Sequence, residues 1–199
     1  MTKWAPQKVD VLDALAAEVL HNYARGRVAV AIDSDDPVVS ASFADDLAAA
    51  LARAGHGAFV AHLSDFQRAR AEREDASVPE EERAYRLRYD YELLRRVLLD
   101  PFKLGGSTGF VLAAFDSVRD EPRQPRWRTA GRDAVLLVDG EFALRPELRG
   151  AWNLGIRLDT QEPPVDPAYR ASTDPRRLAP VLIDVRDPEH PRRVFADSC

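Results

Sequence analysis

Cysteine is almost absent from this sequence: Cys199 is the only one, and it is the last of 199 residues. A lone thiol forms no internal disulfide and builds no thiolate metal cage, so a reducing compartment is the expected setting. No apolar run approaches the length of a membrane span. No secretory leader is expected either, since Met1-Thr2-Lys3-Trp4 runs straight into mixed helical sequence. The expected location is the cytoplasm, with no membrane partner. Positive charge is in deficit: 28 Lys and Arg face 33 Asp and Glu, for a net charge of −5. That balance argues against a nucleic-acid partner, because phosphate backbones select basic faces. The arginines are interleaved with acids, as in Arg70-Ala71-Glu72-Arg73-Glu74-Asp75, which reads as solvated surface. His56 and His62 lack metal-ligand spacing with each other or with a third ligand and read as structural. Internal repeats are missing as well, so residues 1–199 are expected to form one domain.

What is present is an ordinary globular balance, 45% apolar and 31% charged. Val11, Leu12, Leu15, Ala16, Val19, Leu20 and Tyr23 recur at helical spacing, giving an N-terminal helix within residues 1–26 that Gly26 closes. Val28-Ala29-Val30-Ala31-Ile32 is the continuous apolar run of a buried parallel strand. A loop over 33–39, a helix over 40–54 and a strand over 58–63 are expected next, then a mobile charged connection over 67–82. Residues 83–99 read as a helix stopped by Asp100-Pro101. Residues 108–115 and Trp127-Arg128 suggest an antiparallel excursion around Asp120-Glu121-Pro122. Strands over 134–138 and 154–158 follow, then a loop constrained by Pro163, Pro164 and Pro167, and a last strand over 181–183. Strands alternating with helices imply an α/β fold with a mostly parallel sheet. Such sheets bind ligands outside the carboxyl ends of their strands, where Asp33, Asp65 and Asp139 fall.

Three segments together resemble the bacterial uridine kinase-like family of P-loop nucleoside kinases. Phe43-Ala44-Asp45-Asp46-Leu47-Ala48-Ala49-Ala50-Leu51 resembles the helix that follows the phosphate-binding loop. Tyr89-Asp90-Tyr91-Glu92-Leu93-Leu94-Arg95-Arg96-Val97-Leu98-Leu99-Asp100-Pro101 resembles the nucleoside-side helix. Residues 135–140, continuing through Arg145-Pro146-Glu147-Leu148, resemble the Walker B strand and its turn, and Asp187-Pro188-Glu189-His190-Pro191 fits the tail. The resemblance implies a P-loop kinase-like three-layer fold, a mostly parallel central sheet flanked by helices. It also implies transfer of the ATP γ-phosphoryl group to a nucleoside 5′-hydroxyl with magnesium.

The motif that should hold ATP, G-x-x-x-x-G-K-[ST], is changed at every diagnostic position. With Phe43 as anchor, its first glycine falls on Ser34, its second on Val39, its lysine on Ser40 and its magnesium-binding hydroxyl on Ala41; Pro37 takes an inner glycine. Val39 is ill suited to close backbone approach, Pro37 has no N–H to offer, and the lysine charge is gone. Asp35 and Asp36 place carboxylates beside the anion site, where each like-charge contact at about 4 Å costs roughly 1–4 kcal/mol. Three readings of this loop stay open: an ordinary helix start capped by Asp36-Pro37, with Ser42-Phe43-Ala44-Asp45 as a capping box; a new site built from Ser34, Asp35 and Ser40; or a displaced register.

Two further departures follow from the resemblance. The general-base position holds Ser64, and Asp65 could serve only by a small shift. The lid region, residues 160–180, is short and proline-rich, with Arg170, Arg176 and Arg177 as its arginines. Against these losses, Asp90 matches the ribose-binding aspartate with Tyr89 and Tyr91 beside it, and Asp139 matches the Walker B acid and candidate metal ligand. Asp90 also reads as a surface carboxylate, and the two tyrosines as core. The expected protein is therefore pseudokinase-like: no cofactor is expected, with ATP and magnesium relevant only if the family activity survives. A nucleoside-like small molecule or a protein partner remains as ligand. The alternative is an enzyme, either a divergent kinase or one using the acidic cluster Asp33, Asp35, Asp65, Asp139 and Glu141 for another reaction.

Overall fold

The computed structural model describes residues 6–23, 25–160 and 165–195; Trp4, Pro163, Pro164 and Cys199 lie outside them. The chain runs α1 (Lys8–Asn22), β1 (Val28–Asp33), α2 (Pro37–Arg53) and β2 (Ala58–His62), then a 3-10 turn (Leu63–Phe66). Short helices follow: α3 (Arg70–Arg73), α4 (Glu80–Leu87), α5 (Tyr91–Leu94), a π turn (Arg95–Leu99) and α6 (Asp100–Leu104). Two small hairpins come next, β3 (Phe110–Val111) with β6 (Trp127–Arg128) enclosing β4 (Phe115–Asp116) with β5 (Glu121–Pro122). The chain ends with β7 (Val135–Gly140), β8 (Leu154–Asp159), α7 (Pro167–Ser172), α8 (Pro175–Leu178), β9 (Val181–Asp184) and β10 (Arg192–Val194).

The central sheet has the order β10-β9-β8-β1-β7-β2, parallel throughout except for the edge strand β10. Strand periodicity divides its side chains between two cores. Val28, Val30, Ile32, Val135, Leu137, Ile156 and Leu158 pack under α1 and α2 with Leu15, Val19, Leu47 and Leu51. On the other face Ala31, Leu136 and Val138 meet Phe66, Tyr89, Leu98, Phe102, Phe142 and Tyr169. The small Ala31 of β1 faces this aromatic side. Helices thus flank a mostly parallel sheet in an α/β architecture. Among the described residues, no helix is long and apolar enough to cross a membrane.

The parallel register brings Asp33, His62 and Asp139 to one edge, with Ile32 and His62 both opposite Asp139, and Asp33 opposite Gly140. Gly140 has φ 141, and a Cβ there would lie 2.8 Å from Leu63 Cβ, so the Leu63–Phe66 turn presses directly on the end of β7. Two residues on, Phe142 has φ 66 although its ring is buried, a conformation bulky residues rarely adopt.

Several local expectations need correction. Helix α2 starts at Pro37, not at residue 40, because Asp36 caps it and proline suits the first turn; Ser42–Asp45 therefore lies inside the helix and caps nothing. The charged connection over 67–82 contains α3 and the start of α4. The helix expected over 83–99 is broken at Arg88–Asp90 and does not stop at Asp100-Pro101. It passes through the π turn, and Pro101 falls in the first turn of α6, where a missing N–H is tolerated. The edge strand β10 was not anticipated; its exposed Arg192 and half-buried Arg193 hide any strand-like apolar run.

Candidate functional site

The junction between β1 and α2 is three residues long, Ser34-Asp35-Asp36. Asp36 turns its carboxylate onto the helix, where Oδ1 accepts from the N–H groups of Val38 at 2.8 Å and Val39 at 3.2 Å. Its own N–H donates to Ser34 Oγ at 3.1 Å. Free N–H groups and the positive end of the helix dipole make an N-terminus attractive to anions. Here the chain supplies the anion itself.

Asp33 and Asp35 point to a cation from the neighbouring strand. Arg157, only 1% exposed, donates from Nη1 to Asp33 Oδ2 at 2.6 Å and from Nη2 to Asp35 Oδ2. Its Nε has no partner among the described residues. Tyr169 from α7 adds a hydroxyl bond to Asp33 Oδ1 at 3.1 Å, and the Leu144 N–H reaches the same oxygen at 3.4 Å. Burial pushes Asp33 and Asp35 above the usual carboxylate range, with Arg157 pulling them back. Burial also works against the charge on Arg157, but the two carboxylates hold it above its ordinary value. The cluster is a buried unit in which one guanidinium bridges two carboxylates, with Tyr169 and the Leu144 N–H adding hydrogen bonds to Asp33.

Asp139, at the end of β7, is equally occupied. Its Oδ2 lies 3.1 Å from Ser40 Oγ, and its Oδ1 lies 2.5 Å from Nδ1 of His62. That bond raises His62 above the ordinary histidine value against the opposing effect of burial. Asp65, in the turn after β2, is pushed up by burial, with Arg123 at 3.6 Å as its counter-charge. Glu141 pairs with Arg88. The five acids thus do not pool their charge in one cluster: each has its own basic partner, Asp33 and Asp35 sharing one. Among the described residues, no three His, Cys, Asp or Glu side chains gather as a metal site.

The other positions drawn from the sequence lie as follows. Ala41 is in the first turns of α2, where its methyl offers no hydroxyl. Asp90 caps α5, accepting from the Leu93 N–H at 2.9 Å. Tyr89 is 2% exposed, its ring edge-on to Tyr91 and tilted against Phe142, and burial pushes its hydroxyl up to about 12. The Tyr91 hydroxyl is buried with no hydrogen-bond partner among the described residues, and the Arg145 guanidinium lies 4.1 Å from its ring centroid. In the lid region Arg176 pairs with Asp159 at 3.2 Å and Arg177 with Asp174 at 3.4 Å, while Arg170 acts on Asp35 through space. Tyr169 sits fully buried between Tyr85 and Phe142, and Tyr85 bonds Ser172 at 2.6 Å, so α7 is fastened over this edge of the sheet. An open cleft of about 730 Å³ lies in the hairpin excursion, with Asp116, Arg119, Arg128 and Arg123, the partner of Asp65, on its walls.

Three residues central to this arrangement were not singled out from sequence as a site. Arg157 had a signal: a cation inside the apolar run Leu154-Gly155-Ile156-Arg157-Leu158 must find a buried carboxylate. His62 was read as structural because only the sheet register places it beside Asp139. Tyr169 had no signal, since its partner Asp33 is remote in sequence.

No known family profile matches the sequence. No curated protein matches it either. Solved structures do. A protein described as a possible uridine kinase from Bacillus stearothermophilus aligns over 88% of this chain and 98% of its own, with TM-score 0.75 and 24% identity. A candidate fructose transport system kinase from Silicibacter sp. TM1040 aligns over 74% of both chains, with TM-score 0.59 and 24% identity. D-glycerate 3-kinase from Cryptococcus neoformans aligns over 77% of this chain and 73% of its own, with TM-score 0.50 and 10% identity. The fold is that of the P-loop kinases.

Proposed function

We propose that this chain is a P-loop-kinase-fold protein that has lost ATP binding and phosphotransfer and serves as a binder of a small polyhydroxylated, nucleoside-like ligand. The observation that carries the reading is the Asp36 carboxylate on the N–H groups of Val38 and Val39, the donors a phosphate would need. MgATP fits this junction poorly for two more reasons. Asp33 and Asp35 are already matched by the buried Arg157, and a triphosphate would have to displace it. Both oxygens of Asp139 are engaged, by Ser40 and His62, which leaves little for a magnesium ion or its waters. The solved neighbours are described as kinases of uridine, of a fructose transport system and of D-glycerate, names that share hydroxyl-bearing compounds. A ligand of that class suits the cleft of the hairpin excursion, whose walls combine hydrogen-bonding charges with the apolar Val111, Leu112 and Ala113.

The test is a phosphotransfer assay joined to a binding screen. Incubation with MgATP and a panel of nucleosides and sugars should give no phosphorylated product, while at least one compound raises the melting temperature. Arg123→Ala, at an exposed cleft wall, should abolish that rise. Product formation overturns the first half of the reading, and a flat screen overturns the second.

A second reading has its own observation. The contact between His62 and Asp139 orients a half-exposed imidazole in the manner of a general-base pair, with Asp65 near it. On this reading the chain is an enzyme of different chemistry, and any turnover found should vanish in His62→Gln with the fold intact.

A further inference from the structure

The opposite end of the sheet carries a different charge pattern. Arg27 precedes β1, Arg132 lies just before β7 and Asn153 just before β8, while Lys103 comes from α6. Together with Gly105 and Gly106 they line an open cavity of about 650 Å³, a volume typical of small-molecule sites. Every charged residue on its wall is a cation, in a chain whose net charge is −5.

Arg27 builds the cavity. Its guanidinium donates to the carbonyls of Gly131 at 3.1 Å, Phe102 at 2.8 Å, Gly106 at 2.9 Å and Ala130 at 2.5 Å. These bonds tie the segment after α6 to the segment before β7 and fix both walls. All four acceptors are neutral, so the arginine charge stays unmatched by any carboxylate in these bonds. Lys103 spends one donor on the Gly150 carbonyl at 2.7 Å, leaving two. Burial and the nearby Arg95 push the Lys103 ammonium below its ordinary value, against a weaker pull from Asp100. Arg132 is exposed, and its neighbour Asp133 is turned away to accept the Gly26 N–H at 2.7 Å. Asn153 accepts from the Ala29 N–H through Oδ1 at 2.9 Å, so the end of its amide left over is the donor.

We propose that this cavity is a binding site for a small phosphorylated metabolite, its phosphate held by Lys103, Arg132 and the Asn153 amide in the field of Arg27. The chemistry follows from the walls: donors converge, acceptors are spent on Arg27, and guanidinium and ammonium groups together favour a multiply charged oxyanion. The site lies at the amino ends of the strands and is separate from the β1–α2 junction. It stands whether or not the function proposed above is right.

Calorimetry on the full chain at low salt tests it with three probes: inorganic phosphate, pyrophosphate and a sugar monophosphate. Binding of the sugar monophosphate is expected, and affinity should fall as salt rises. Lys103→Ala with Arg132→Ala should weaken it by about tenfold or more. Both side chains are exposed, so the fold should tolerate the change, and circular dichroism checks that. Arg192→Ala, at an exposed arginine on β10 outside both clefts, should leave affinity unchanged. Tighter binding of the ester than of inorganic phosphate or pyrophosphate supports a phosphorylated metabolite. Equal or tighter binding of the inorganic probes overturns that identification. Absence of binding by all three probes, or affinity unchanged in the Lys103 and Arg132 double variant, overturns the site.

Discussion

The two ends of this sheet treat charge in opposite ways. At the carboxyl ends, where folds of this kind place their ligands, carboxylates dominate and each is matched from within: Asp33 and Asp35 by Arg157, Asp139 by His62, Glu141 by Arg88. At the amino ends, Arg27, Lys103 and Arg132 surround a cavity whose walls carry no carboxylate. Capacity to hold an anion follows unmatched positive charge and free donors, not position in a fold. A buried arginine between two aspartates has its electrostatics satisfied and little left for a ligand; an arginine bonded only to carbonyls keeps its field. On the reading proposed above, the difference is how a chain keeps this fold while the edge between β1 and α2 turns to structural work.

The strongest way to break this comparison is to remove the internal cation. Arg157→Met leaves two buried carboxylates without their bridging cation and should cost about 3–5 kcal/mol in urea unfolding. Adding Asp33→Asn and Asp35→Asn should recover most of that loss. A single variant as stable as the parent would mean that the cluster does not hold this edge together.

A smaller effect is expected from rebuilding the loop. Replacing Ser34–Ala41 with a glycine-rich segment ending in Lys-Thr removes Asp35 and Asp36 and restores free N–H groups at the helix start. Nucleotide affinity should rise by about tenfold or more, near 1.4 kcal/mol. Turnover should require Ser64→Asp as well. A folded variant that still ignores ATP would show that Arg157 and Tyr169, rather than the loop, keep the junction shut.

Smaller again is the cap alone. Asp36→Ala exposes the N–H groups of Val38 and Val39 and should cost about 1 kcal/mol of stability by thermal or urea unfolding. An unchanged stability would mean that water satisfies those groups as well as the carboxylate does.

The smallest effect concerns pH. His62 is raised in the folded state by its bond to Asp139, so its stabilising contribution is full below the unfolded value of about 6.5. That contribution is lost as pH rises through the higher folded value. Unfolding measured from about pH 6 to 8 should show this decline in the parent and a shallower one in His62→Gln. Equal slopes would mean that the contact carries no proton linkage.

The alternation of strands and helices was legible because buried parallel strands are apolar throughout, as in Val28–Ile32 and residues 134–138. The sequence offers two starts for α2, residue 40 from the phosphate-loop register and Asp36-Pro37 as an ordinary cap, and the structure takes the second because the Asp36 carboxylate bonds the first free N–H groups. The helix through residue 104 was cut short because proline normally ends helices, and a π turn leaves no local mark in sequence. At the site, the carboxylates were readable as strand-end acids, but their partners were not. Arg157 and Asp33 meet through the β1–β8 register, and His62 and Asp139 through β2–β7, both set by long-range pairing. Tyr89 and Tyr91 read from sequence either as neighbours of a ligand-binding Asp90 or as core, and their rings are packed among Tyr85, Phe142 and the Arg145 guanidinium.

The central claim is that the β1–α2 junction commits its helix-start N–H groups to Asp36 and its buried cation to Asp33 and Asp35, which leaves a triphosphate no place there. Isothermal titration of the unmodified protein with MgATP tests it most directly. The account predicts no saturable heat attributable to that junction, and no change when Asp139→Asn is titrated beside the parent. Low-micromolar binding that Asp139→Asn or the Arg157→Met triple variant alters would contradict it, because it would place the triphosphate where Asp36 and Arg157 now stand.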